Sequence, residues 1–241
     1  METGNTFDVY VFPETKVIPQ KITKITGLQI QSGTMLHNFI PVEAMRISSA
    51  LEMFSKWLQP IEAPILVAHN AHFDAKILTN TYVRNSFDIP CILGFSDTIK
   101  LFKEVFPQQP CYKQAALVQN ILGHQYEEHN SAADVQSLSE LVQVVDNYEA
   151  RLSVFSVEDV LYRNNKIKNE HMFYNTYSDM VTKKILTKGQ ATSLSASGLG
   201  LSHLKLASVR SGIEGLTRLL KGVIAKNVII SSILHSEFQK V

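Results

Sequence analysis

Ile65-Leu66-Val67-Ala68-His69-Asn70-Ala71-His72-Phe73-Asp74 is the stretch that decides how this chain folds. Four apolar residues following Pro64 read as a short strand buried on both faces. The next six form a strand-to-helix connection, because Ile77 and Leu78 lie three and four positions after Asp74 at helical spacing. A second stretch, Glu128-His129-Asn130-Ser131-Ala132-Ala133-Asp134, has the same character, with Leu138, Leu141 and Val145 following its acid. Each Asp is thus expected to head a stripe that points inward. An ionised carboxylate facing a core is costly unless it is paired, hydrogen-bonded or bound to metal. Two such acids, one with an imidazole close by, suggest a metal-assisted hydrolytic site.

Working outward, Phe7 to Phe12 alternates like a strand and stops at Pro13, and Ile18-Pro19 to Gly27 reads as an irregular crossing that ends on a Thr26-Gly27 turn. From Val42 to Leu58 the positions Ile47, Leu51, Phe54 and Leu58 mark the buried face of a helix that Pro60 and Pro64 end. Ile92 to Phe95 reads as another short strand, leading through Ser96-Asp97-Thr98 into a helix over Ile99 to Val105. Helical spacing recurs from Tyr112 to Leu122, with Gly123 as the stop, and again from Ser131 to Val145. Strands alternating with helices predict an α/β fold with a mixed sheet. Beyond Asn147 the pattern turns helical, with one loose stretch at Gly189 to Gly200.

Composition places the chain among soluble globular proteins, with 45% hydrophobic and 19% charged residues in 241. No apolar run approaches the roughly 20 residues that span a bilayer. With no charged-then-apolar leader and only Cys91 and Cys111, an intracellular location, nucleus or cytoplasm, with reduced thiols is expected. The net charge of +1 hides an asymmetry: residues 1–150 carry 10 Lys and Arg against 16 Asp and Glu, and residues 151–241 carry 13 against 6. An acidic part followed by a basic part fits a metal site beside a phosphate-attracting surface, or simply a solvated basic face.

Taken singly, each motif residue has a plain structural reading. Ser131-Ala132-Ala133-Asp134 has capping-box spacing, Asn70 suits a turn, and Asp74 suits a helix start favoured by the dipole. Jointly, HNxxFD after a strand and HxxxxD opening a later helix resemble the DEDDh 3′–5′ exonucleases, a ribonuclease H-like family defined by four acids and one histidine. Residues 7–147 carry the resemblance, with Val11-Phe12-Pro13, Ile25-Thr26-Gly27-Leu28 and Gly94-Phe95-Ser96-Asp97-Thr98 as supporting similarities. Residues 198–207, Gly-Leu-Gly-Leu-Ser-His-Leu-Lys-Leu-Ala, look like the extension of the exonuclease-like C-terminal domain of the long promyelocytic leukaemia protein isoform and its stand-alone relatives. Some members of that branch have lost catalytic residues.

The resemblance implies a ribonuclease H-like mixed sheet flanked by helices over residues 1–147, and a basic helical extension over 148–241 packed on or beside it. It implies His129 as the general base, Asp134 as a direct metal ligand, Asp74 as a ligand through water, and His69 and Asn70 as substrate-positioning residues. The cofactor would be Mg²⁺ or Mn²⁺ in a two-metal site, and the partner a DNA or RNA 3′ end, with the 148–241 region open to a protein partner and no membrane involved. One departure is decisive. The first motif, Asp-x-Glu on the opening strand, has no counterpart: Glu2-Thr3-Gly4 stands too close to the next strand, and Asp8 lies on the wrong one. Loss of catalysis with retention of nucleic-acid or protein binding is therefore the alternative expectation.

Overall fold

A computed structural model describes residues 5–240, and the chain falls into two compact units, Met1–Val160 and Leu161–Val241. Glu2-Thr3-Gly4 lies outside the described residues.

In the first unit, β1 is only Tyr10–Val11, shorter than the alternation predicts. The stretch expected to be irregular is instead a helix, α1 (Gln20–Thr26), with Pro19 at its N-cap and Gly27 closing it at φ 68°. A hairpin absent from the sequence reading follows, β2 (Leu28–Gln31) and β3 (Thr34–His37). Its two-residue turn, Ser32-Gly33, has positive φ at both positions, the geometry that matches strand twist. The short strands β4 (Ile40–Pro41) and β5 (Ala44–Met45) pair with β3 and, in parallel, with β1.

Helix α2 (Ile47–Leu58) buries Ala50, Leu51 and Leu58. Then β6 (Ile65–Ala68) leads into α3 (Ala71–Arg84), and β7 (Gly94–Asp97) leads into α4 (Thr98–Val105). β6 and β7 are parallel, with Ala68 opposite Asp97, and β8 (Val154–Phe155) joins β7 antiparallel, so this sheet is mixed. Among the described residues β6 has no partner on its other side, and Val67 is 37% exposed, so the strand is not covered on both faces as its composition suggests.

α5 (Gln114–Leu117) runs into a π-helical turn, Val118–Leu122, closed by Gly123. α6 (Ser131–Gln143) and the short α7 (Tyr148–Arg151) follow. Leu101, Phe102, Leu117, Val118, Leu141 and Val142 form the main core of this unit.

α8 (Val157–Phe173) precedes a 3₁₀ turn and α9 (Ser178–Thr182). The stretch expected to be loose is largely α10 (Lys188–Ala196), started by a Thr187–Gln190 capping box. α11 (Leu201–Leu220) is broken at Ser211-Gly212, and α12 (Asn227–Phe238) packs along it. The second unit has its own core, built on Tyr177, Leu194, Leu204, Leu216, Leu220 and Leu234. None of the described helices is long and apolar enough to cross a membrane.

β8 lies close over Gly94, where a Cβ would run into the Phe155 carbonyl oxygen and the Val154 side chain. Gly94→Ala is therefore expected to destabilise the first unit by about 1–3 kcal/mol, the usual cost of overpacking, read from urea unfolding. An unchanged midpoint would mean that β8 is not seated there.

Candidate active site

Parallel strands end together, and the first group of motif residues is gathered where β6 and β7 end. His69 follows β6 directly. Its Nε2 lies 2.7 Å from the Tyr112 carbonyl oxygen, so it must donate there, which leaves Nδ1 to accept from the Thr98 hydroxyl at 2.9 Å. Both ring nitrogens are thereby committed within the protein, in the neutral tautomer. Burial holds the His69 pKa below its ordinary value, opposed by the Tyr112 bond and by the charge of Asp97. Asn70 caps α3 in the left-handed region at φ 65°, and its side chain makes no cap bond. Its backbone amide instead donates to Asp97 Oδ1 at 3.0 Å, the same oxygen that accepts from Ile99 N at the head of α4. Asp97 thus fastens the two strand ends to each other, a role the sequence reading did not give it.

Asp74 stands one turn into α3. The buried stripe of this helix is Ala71, Ala75, Thr79 and Tyr82, while Ile77 is 51% exposed. The expected inward face is therefore wrong for α3: Asp74 lies on its exposed side. Even so, the Asp74 carboxyl is pushed above its usual range. Partial burial of the group is the largest cause, opposed by a bond from its own backbone amide, and the like charge of Asp97 adds to it.

The second group gathers at the start of α6. The cap is Asn130, whose side chain accepts from Ala133 N at 3.4 Å, so the capping position is one residue earlier than Ser131-x-x-Asp134 predicts. Ser131 is free for another bond and donates to Asp8 Oδ1 at 3.1 Å. That brings to this helix start an acid which the sequence reading set aside. Asp134 is half-buried; of the stripe its spacing predicts, Leu141 and Val145 are buried and Leu138 is half-buried, while Ser137 is buried beside them. The Tyr126 phenol is pushed up to about 12, first by burial. A bond with Ser137 lowers it, whereas a bond with Asp134 and the charges of Asp134 and Glu128 raise it.

One segment serves both groups. Gln114 Nε2 donates to the Asp134 carbonyl oxygen at 2.7 Å and to Ser137 Oγ at 2.9 Å, two residues after the Tyr112 carbonyl that receives His69. Tyr112–Gln114 therefore ties the end of β6 to the start of α6. His129, exposed and at φ 67° in the turn before α6, lines a cavity of about 330 Å³ with Lys24, His37, Asn38 and Glu128.

The Exonuclease family model matches residues 1–142, more than half of the chain, and a second model, the PML C-terminal domain, matches residues 173–232. The chain belongs to the exonuclease family. Neither a curated protein nor a solved structure matches it. As an exonuclease-family chain it has the mixed α/β fold with a helical C-terminal region that its sequence predicts.

The family typically uses divalent metals, which tests the donor set directly. Among the described residues, no three of His, Cys, Asp or Glu stand together as a group able to hold a metal ion. Asp74 has one acidic neighbour, Asp97, and Asp134 has a phenol beside it. These residues do not by themselves make the two-cation site of the resemblance, so no reaction step is derived through a metal.

The His69 junction has a pH signature. A histidine held neutral by burial contributes stability above its unfolded pKa, near 6.5, and loses it as pH falls below that value. Chemical-denaturation stability of the intact chain is expected to drop between pH 7 and 5, and His69→Gln should flatten that drop. A His69→Gln variant with the same pH dependence would assign the effect to other groups.

Proposed function

We propose that this chain is a 3′–5′ exonuclease of the DEDDh type, releasing 5′-mononucleotides from nucleic-acid 3′ ends. The observation that carries the proposal is the Tyr112–Gln114 tie, which holds two acid-bearing helix starts, with Asp74 and Asp134, in one frame inside the region that matches the Exonuclease model. In this reading His129 takes the proton of the attacking water as the general base. Asp134 and Asp74 are the acids that would face Mg²⁺ or Mn²⁺, Asp74 through water. Asn70 and His69 shape the strand end that receives the substrate, His69 by holding the β6–α4 junction. The cavity beside His129 has the volume of a small-ligand cleft and a polar lining that includes Lys24.

A second reading has its own support. Among the described residues no three of His, Cys, Asp or Glu group to hold a metal ion, which suits a module that binds nucleic acid without cleaving it.

A 5′-labelled single-stranded oligonucleotide with Mn²⁺ separates the two. The exonuclease reading expects a ladder shortening from the 3′ end, with His129→Ala and Asp134→Asn each slowing it by at least about a hundredfold. A ladder that survives both substitutions contradicts the assignment. No ladder, together with oligonucleotide binding that weakens steeply with added salt, establishes the binding module instead.

A further inference from the structure

The second unit carries a feature that the nuclease reading does not use. Residues 161–241 contain 12 Lys and Arg against 4 Asp and Glu, a balance of +8. On this basic body a groove of about 360 Å³ lies along the first half of α11, lined by Leu199, Leu206, Ala207 and Leu219, with Arg210 and His203 in its wall. Leu206 is 50% exposed, and Val209, one turn along the same helix, is 78% exposed. Large apolar side chains left in water beside a groove mark an interaction surface more often than isolated ones do. Arg210 makes no ion pair among the described residues, although Arg218 and Lys183 on the same unit do.

The lining decides between partners. A nucleic acid would be drawn to the charge, but binding single strands there calls for aromatic faces on which bases stack, and the groove has no Phe, Tyr or Trp. His203 Nδ1 accepts from Gly200 N at 2.9 Å, and its ring packs T-shaped with Phe173. An apolar trough with a free guanidinium in a strongly positive field instead suits an amphipathic segment with apolar side chains on one face and carboxylates on the other. We propose that this groove is a docking site for an acidic amphipathic helix of a partner protein. The apolar face seats against Leu199, Leu206 and Leu219, and a carboxylate pairs with Arg210.

The test uses the full chain and a fluorescein-labelled 18-residue helical peptide, with Leu along one face and Glu on the other, followed by anisotropy. Binding is expected to weaken at least about tenfold in Arg210→Glu, the size of one charge-assisted contact, and similarly in Leu206→Glu. Both changes are at exposed positions. Lys188→Glu, an equal change of net charge at the start of α10, should stay within about twofold. The Glu→Lys version of the peptide should not bind. Equal weakening by Lys188→Glu would reduce the effect to net charge and overturn the site. So would unchanged binding in Arg210→Glu and Leu206→Glu, or a single-stranded oligonucleotide that binds in its place and loses affinity in Arg210→Glu.

Discussion

The two acid-bearing helix starts of the first unit are linked through one imidazole with both of its nitrogens in use. His69 joins the end of β6 to the head of α4 through Thr98, and to the Tyr112–Gln114 segment through the Tyr112 carbonyl. From there Gln114 reaches the first turn of α6. A polar group taken out of water costs free energy unless it is bonded. His69 is satisfied only when these elements are in register. The junction therefore selects an arrangement as well as stabilising it, and the acids at the two helix starts are carried by that arrangement.

Asp97 works alongside. By accepting from Asn70 N and Ile99 N it closes the strand ends, yet its charge also raises the pKa of the nearby Asp74 carboxyl. Tyr126 stands beside Asp134 at the other helix start.

Much of this was legible in the sequence, and the failures have physical causes. β6, α4 and α6 were legible because Pro64, the Ser96-Asp97-Thr98 turn and the Ser131 start precede clear apolar runs, although the α6 cap itself is Asn130. α1 was not, since Gln-Lys-Ile-Thr-Lys-Ile-Thr buries none of its residues and is rich in β-branched types with poor helix propensity. The inward face of α3 was misjudged because its packing against β6 and β7 uses small residues, Ala71 and Ala75, rather than the bulkier Ile77. The family motifs named His69, Asn70, Asp74, His129 and Asp134. The partners that give them their setting, Asp97, Tyr112, Gln114 and Tyr126, are distant in sequence or carry no motif, and only tertiary structure places them. Asp8 gave no signal at all.

The central claim is that His69 and Gln114 act through one segment to hold the two acid-bearing helix starts together. A double-mutant cycle on His69→Gln and Gln114→Ala, read by urea unfolding of the intact chain, tests it most directly. Coupling through Tyr112–Gln114 predicts an interaction free energy of at least about 0.5 kcal/mol. Additive losses would show that the two groups are satisfied independently and would contradict the account.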